Sequence, residues 1–335
     1  AFMGTPVNQV DGPFNDEITI DEKHPDAYVV RLTQSGLGMP DRDYYLRDDK
    51  ELAATREAYR KYLADMLVFA GITDRARATA VYELEARLAD AHWPAEDRRE
   101  ADKTYNPMSV TALGEFAPQF PWSAYLTAAG ISRQARGGER TIDVAEKSAF
   151  PKLAAVFAAT PPAVWRDYLT VRYLHAHAHY LPKRIDDTDF AFYGTVISGQ
   201  KEQLPRDIRG IHLLDGQMGE ALGKLYCARY FPPEAKLKSR RLVENLLKAY
   251  EQDIQTLTWM TPATRAKALQ KIRTFRPKIG YPDKWRDYSA LSIRGGDLVG
   301  DVRNATVFEW NRELVRIDKP VDRAEWDMTP PTNNA

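Results

Sequence analysis

The sequence is poor in cysteine, and this scarcity limits the kinds of site that it can build. Cys227 is the single cysteine among 335 residues, so the chain forms neither an internal disulfide nor a thiolate metal cluster. Cys227 lies between Tyr226 and Ala228 on a predicted helix, and we interpret it as a small core residue rather than a nucleophile. The stability of the fold must therefore come from its packed core.

Net charge and long apolar runs are also lacking. The 47 basic side chains balance 47 acidic ones, so no chain-wide attraction to nucleic acid or to an anionic membrane is expected. No apolar run approaches the length of about 18 residues that a membrane-spanning helix requires. With 44% hydrophobic and 28% charged residues, the composition is typical of a globular protein of about two domains.

Several catalytic motifs are missing as well. The sequence contains no H-E-x-x-H zinc motif and no G-x-S-x-G nucleophile motif. Gly36 and Gly38 are not followed by the third glycine of a dinucleotide-binding loop. Asp186, Asp187 and Asp189 lack the glycine and glutamate of a calcium loop. The residues alone therefore give no complete catalytic constellation.

Three histidines, His175, His177 and His179, are the nearest approach to a metal site. His175 and His179 are four residues apart, so on a continuous helix they would share one face and could hold a metal together. No carboxylate stands at the offset that catalysis would need. The alternative is a partly exposed helix that happens to be rich in histidine.

The secondary-structure pattern predicts a mainly α fold with one small β hairpin near the N-terminus. Alternating apolar residues at 18–20 and 28–32, joined through His24-Pro25-Asp26, predict the hairpin. Thr73, Thr160 and Thr261 are predicted to cap helices, the last two because proline follows. A surface loop is predicted at 133–140. Helical periodicity predicts the main helices at about 52–70, 74–91, 109–116, 122–129, 160–180, 202–230, 233–259, 261–275 and 298–315.

Two of these helices carry predicted apolar stripes. In the second helix the predicted buried stripe consists of Val81, Leu84, Leu88 and Ala91. In the helix at 233–259 the predicted stripe consists of Leu242, Leu246, Tyr250, Ile254 and Leu257.

The last fifteen residues, 321–335, are predicted to form a segment that leads into a binding site. Pro330 and Pro331 are predicted to force an extended run, because proline fixes φ and disfavours a helical predecessor. An extended stretch from Thr332 to Ala335 would leave backbone groups free to pair with a peptide.

An ordered set of segments runs along essentially the whole chain. They are G-L-G-M-P-D-R-D-Y-Y-L at 36–46, Y-N-P-M at 105–108, F-Y-G at 192–194, G-K-L-Y at 223–226, L-T-W-M at 257–260, I-G-Y-P-D-K-W-R-D-Y at 279–288 and N-A at 334–335. In order and spacing this set resembles the neprilysin and endothelin-converting-enzyme family of zinc metallopeptidases.

The resemblance implies a two-lobed peptidase, in which a thermolysin-like lobe carries zinc and a mostly helical lobe closes over it. The cavity between the lobes would admit oligopeptides of modest size. This chain resembles the helical lobe together with the strand that leads into the catalytic lobe. Asn334 and Ala335 match the family's Asn-Ala pair, which binds the substrate backbone, whereas Asn333 departs from the usual apolar residue before that pair.

The same resemblance implies where the chemistry lies. The zinc ligands and the general base, from H-E-x-x-H and a later glutamate, are expected after Ala335, so this chain should contain no catalytic residue and no metal ligand. A single cysteine favours a bacterial member, and the family suggests a periplasmic, membrane-associated or secreted protein. A further N-terminal segment is also implied.

The predicted organisation is therefore a helical peptidase lobe at 1–318 and a connector with the substrate-binding strand at 319–335. Within the lobe, the hairpin lies at about 17–33 and the helices begin at about 49. Its partners would be the oligopeptide substrate and its own C-terminal catalytic lobe, and the chain alone would be inactive. The alternative is a non-catalytic helical protein that binds peptides or serves as a scaffold.

Overall fold

The computed structural model describes residues 2–10 and 12–332 and is mainly helical. Helices make up 59% of the structure, beside a small sheet, which confirms the predicted fold class. The chain forms two compact units, one of residues 1–204 with 291–321 and one of residues 205–290 with 322–335. The lobe at 1–318 and the connector at 319–335 were inferred from resemblance, and that division stays a prediction.

The sheet of the first unit contains the predicted hairpin. Strands β1 (Phe14–Ile20) and β2 (Tyr28–Gln34) pair antiparallel, with Phe14 opposite Gln34. The sheet order is β1-β2-β6-β3, where β3 is Pro107–Ser109 and β6 is Thr141–Val144. β6 runs parallel to β2, so its pairing required a long connection that local patterns do not reveal.

The segment 133–140, predicted as a loop, is partly a small hairpin. β4 (Gln134–Ala135) pairs antiparallel with β5 (Gly138–Glu139). The loop prediction was therefore wrong at these four residues, because strands of two residues are too short to show alternation.

Among the described residues, the first unit contains ten α-helices. They are α1 (Asp43–Leu46), α2 (Lys50–Phe69), α3 (Arg75–Ala91), α4 (Ala101–Thr104), α5 (Val110–Phe116), α6 (Trp122–Ala128), α7 (Phe150–Ala159), α8 (Pro162–His177), α9 (Lys183–Asp189) and α13 (Leu298–Arg316). A π-helix, Phe190–Ile197, continues directly from α9. The apolar faces of α2, α3, α7 and α8 pack into one core with the sheet, around side chains such as Phe14, Leu63, Leu84, Leu88, Phe150 and Tyr168.

Side-chain caps differ from the predictions at two of three helix starts. Asp74, rather than Thr73, accepts the amide hydrogen bond at the start of α3. The hydroxyl of Thr160 donates instead to the carbonyl of Val156, 2.6 Å away, and so does not cap α8. Thr261 does cap its helix, since its hydroxyl accepts from the amide three residues later.

The second unit consists of α10 (Arg206–Tyr230), α11 (Pro233–Thr256), α12 (Pro262–Thr274) and irregular segments. It buries few side chains: Cys227 and Glu220 lie on α10, whereas α11 and α12 bury none. The burial of Cys227 agrees with its interpretation as a small core residue.

None of the helices in the described part of the chain is both long and apolar enough to span a lipid bilayer.

Candidate functional site

The segment 36–46, the first of the ordered motifs, folds over a fully buried glutamate. The carboxylate of Glu85 accepts hydrogen bonds from the hydroxyls of Tyr45 (2.6 Å) and Tyr59 (2.8 Å) and from the amide of Gly38 (3.3 Å). A Cβ atom added at Gly38 would lie 1.7 Å from the hydroxyl oxygen of Tyr59. The segment can approach the carboxylate this closely only because residue 38 has no side chain.

Electrostatics keep this cluster in one protonation pattern. Burial raises the pKa of Glu85, although Arg172 and the two tyrosine hydroxyls act to lower it. Burial, together with the Glu85 charge, raises the pKa of Tyr45 and of Tyr59 well above its usual value. Burial acts to lower the pKa of Arg172, but nearby tyrosines and Glu85 raise it overall. The tyrosines therefore stay protonated donors and Arg172 stays charged at neutral pH.

This buried cluster positions the backbone of the motif. Two further tyrosines hold the same backbone, because Tyr193 donates to the carbonyl of Gly38 (2.8 Å) and Tyr168 to that of Gly36 (2.9 Å). Glu85 was missed as a key residue, yet it falls four positions after Val81, on the predicted buried face of α3. A carboxylate on an apolar stripe was the signal that could have identified it.

The three histidines do not come together as a metal site. The Nδ1 atom of His175 lies 2.7 Å from Asp189, and that of His179 lies 3.1 Å from Asp186. α8 ends at His177, so His179 lies in the following 3-10 turn rather than on the same helical face. Each ring thus turns to a different buried carboxylate of α9, and the hypothesis of a shared site is wrong.

The described residues do not fit a zinc ion. No group of three or more His, Cys, Asp or Glu side chains is arranged in them to hold a metal. Zinc in proteins takes three or four such ligands at about 2.0–2.3 Å. The described residues therefore do not form a zinc site by themselves.

The segment that precedes residues 334 and 335 packs on α10. The hydroxyl of Thr329 donates to Asp215 (3.1 Å), and Thr329 and Pro330 lie over Gly219 and Gly223. The amide of Thr332 donates to the carbonyl of Thr329 (2.9 Å). This hydrogen bond closes a turn over the two prolines. The extended run predicted from Thr332 to Ala335 lies, beyond Thr332, outside the described residues and stays a prediction.

The predicted substrate-binding residues, Asn334 and Ala335, lie outside the described residues. Their role stays a prediction. What the structure places near them in sequence is the turn at 329–332, and this turn is held by α10.

Known proteins match this chain over nearly its whole length. Endothelin-converting enzyme 1 from Bos taurus is 27% identical over 334 residues, which cover 96% of this chain and 44% of that protein. The cryo-EM structure of the Mycobacterium tuberculosis zinc metalloprotease Zmp1 in its open state is 37% identical, with a TM-score of 0.86, and the match covers 98% of this chain and 51% of that one. The chain thus spans about half the length of these relatives.

Other comparisons agree on the fold and on the family. The crystal structure of PepO from Lactobacillus rhamnosis HN001 is 23% identical with a TM-score of 0.84, so it shares the fold. The sequence model for the N-terminal region of peptidase family M13 matches residues 3–282. That family contains the endothelin-converting enzymes, in agreement with the resemblance drawn from the ordered motifs. The chain belongs to peptidase family M13.

Proposed function

We propose that this chain is the amino-terminal half of a zinc metalloendopeptidase that hydrolyses oligopeptides. The match to the M13 model over residues 3–282 supports this proposal above all. The similarity to Zmp1, which is described as a zinc metalloprotease and is about twice as long, supports it further. The helical part would shape the peptide cavity and control access to it.

The residues present indicate which part of the protein would bind zinc and which part would bind the substrate. The described residues do not fit zinc. The metal ligands and the general base would therefore lie in a segment equivalent to the part of Zmp1 that this chain does not match. Asn334 would bind the substrate backbone through its side-chain amide, and Ala335 through its carbonyl oxygen. The anchored turn at 329–332 would fix where this pair begins.

The decisive experiment compares two polypeptides. One is the protein as its source cell produces it, and the other is the 335-residue chain of 38.1 kDa. Both are assayed with internally quenched peptides, before and after a zinc chelator and after zinc is restored. We expect zinc-dependent hydrolysis by a product much heavier than 38.1 kDa and none by the 335-residue chain.

Two results would contradict the proposal. One is a natural product near 38.1 kDa without peptidase activity, and the other is a longer product whose hydrolysis does not respond to zinc. The first would favour the non-catalytic alternative. Peptides should then raise the melting temperature of the chain, since a ligand that binds only the native state stabilises it.

A further inference from the structure

A short chain of hydroxyl groups holds the turn at 329–332 on α10. The hydroxyl oxygen of Thr329 lies 3.1 Å from Oδ2 of Asp215 and 2.9 Å from the hydroxyl oxygen of Thr332. A carboxylate can only accept, so Thr329 donates its single proton to Asp215 and must accept the proton of Thr332. Asp215 therefore fixes the direction of both hydrogen bonds.

The carboxylate of Asp215 depends on the same contact. Its second oxygen, Oδ1, is buried and has no hydrogen-bond partner among the described residues. The hydroxyl of Thr329 is the donor that the structure shows for this carboxylate. Because a buried carboxylate oxygen is costly to leave without a donor, removal of that hydroxyl should disturb the helix side and the turn side of the contact together.

Two glycines of α10 let the turn lie directly on the helix. A Cβ atom at Gly219 would clash with Cγ2 of Thr329 and would lie 3.1 Å from Oδ1 of Asp215. A Cβ atom at Gly223 would lie 2.5 Å from Cδ of Pro330. The position of the turn is thus set by close contact with the helix backbone as well as by hydrogen bonds.

This contact joins two of the ordered sequence segments. Gly223 opens G-K-L-Y at 223–226, and N-A at 334–335 begins two residues after Thr332. Two residues of chain span at most about 7 Å, even when fully extended. A turn that is fixed on α10 as far as Thr332 therefore restricts where the N-A segment can lie.

We infer that Asp215 and Thr329 are positioning residues for the substrate-binding pair, Asn334 and Ala335. They act through the turn and its Thr332 hydroxyl, and not by contact with the substrate. This inference rests on the proposed function. It adds to that function two side chains, 114 positions apart in the sequence, that set the place of the pair.

Two substitutions of Thr329 separate the hydroxyl from the methyl group. Thr329→Val removes the hydroxyl and keeps the shape, whereas Thr329→Ser keeps the hydroxyl. Thr274→Val is the matched control, because the Thr274 hydroxyl also donates, to the carbonyl of Lys271 (3.0 Å), at an exposed position of the second unit. These variants are made both in the 335-residue chain and in the longer protein.

Hydrogen exchange of the Thr332 amide, followed by NMR in the 335-residue chain, tests whether the hydroxyls hold the turn. Loss of one hydrogen bond should speed this exchange by about fivefold to tenfold in Thr329→Val. In Thr329→Ser and Thr274→Val the rate should stay within about twofold of the unsubstituted chain. Equal rates in Thr329→Val and Thr274→Val would overturn the inference, and this measurement does not depend on peptidase activity.

Hydrolysis of N-methylated peptides by the longer protein tests the consequence for the pair. Each quenched peptide carries one methyl group on one backbone nitrogen outside the scissile bond. In the unsubstituted protein, the methylated position with the largest loss of kcat/KM marks the nitrogen that the pair contacts. In Thr329→Val this loss should shrink by about tenfold at that position alone, because a misplaced pair has less contact to lose. Unfolding of the variant would instead lower the hydrolysis of every peptide alike.

Asp215→Ala shows whether the two residues act together. It should reproduce the effect of Thr329→Val, and the double variant should be within about twofold of either single variant, since both remove the same hydrogen bond. Effects that multiply in the double variant would contradict a shared role.

The outcomes distinguish the positioning role from the proposed function. An active Thr329→Val protein in which the N-methylation losses are unchanged would overturn the positioning role and leave the function intact. An unsubstituted longer protein that hydrolyses no peptide would refute the function, and the positioning role would fall with it.

Discussion

The packing of the turn at 329–332 on α10 predicts different effects on stability for two glycine-to-alanine substitutions in one helix. A Cβ atom at Gly223 would lie 2.5 Å from Cδ and 2.6 Å from Cγ of Pro330. A Cβ atom at Gly216 would meet no atom within 4 Å. Gly216 and Gly223 lie in α10 on opposite sides of a kink at Met218, and both substitutions gain helix propensity, up to about 1 kcal/mol.

The difference between the two variants isolates the steric effect. Gly216→Ala should raise the free energy of unfolding by about 0.5–1 kcal/mol. In Gly223→Ala, overpacking against the Pro330 ring costs about 1–3 kcal/mol and offsets or exceeds that gain. We therefore expect Gly223→Ala to be less stable than Gly216→Ala by about 1–3 kcal/mol.

Two measurements on the same samples decide the matter. Urea unfolding gives the stability of each variant, and hydrogen exchange follows the amide of Thr332, which donates to Thr329 within the turn. Gly223→Ala should speed exchange at Thr332, because a displaced Pro330 loosens the turn, whereas Gly216→Ala should not. Equal stabilities together with unchanged exchange at Thr332 would show that the turn does not pack on Gly223.

Three further predictions concern the first unit and the single thiol. Tyr45→Phe removes a hydrogen-bond donor to Glu85 and leaves the buried amide of Met39 without its acceptor. Urea unfolding should therefore show that the free energy of unfolding falls by about 2–4 kcal/mol. Tyr82→Phe is the control, since no hydrogen bond of the Tyr82 hydroxyl is found among the described residues, and it should change this free energy by less than about 0.5 kcal/mol. Burial lowers the pKa of His92 from 6.5 to about 4, so the native state favours the neutral ring. The contribution of the neutral His92 ring to the stability of the native state is complete above pH 6.5 and is lost as the pH falls toward 4, by up to about 3 kcal/mol. In His92→Gln, the free energy of unfolding should therefore depend less on pH between 6.5 and 4. Burial raises the pKa of Cys227, so its reaction with a thiol reagent should be slow in the native chain and fast in urea, and equal rates would contradict its burial.

Local sequence patterns predicted the positions of the helices better than the tertiary contacts that those helices make. The periodic stripe Val81, Leu84 and Leu88 predicted α3 and its buried face, because helical spacing alone decides which residues share a face. The same argument could not show that Glu85 meets Tyr45, forty positions away in the chain. Such a contact depends on how α1 and α3 are brought together, and no local pattern contains that information.

The histidines show the same limit at shorter range. The spacing of His175 and His179 predicted a shared face, which would hold only if α8 continued past His177. The buried carboxylates of α9 compete for both rings, so each histidine has a partner that spacing within one helix cannot reveal. Metal-ligand spacing is therefore weak evidence wherever a following helix supplies nearby acids.

The stripe on α11 shows that periodicity predicts a shared helical face without predicting how far that face is buried. Helical periodicity correctly placed Leu242, Leu246 and Tyr250 on one face, but all three are exposed in the described chain. An amphipathic stripe indicates that a helix has a partner and does not identify it.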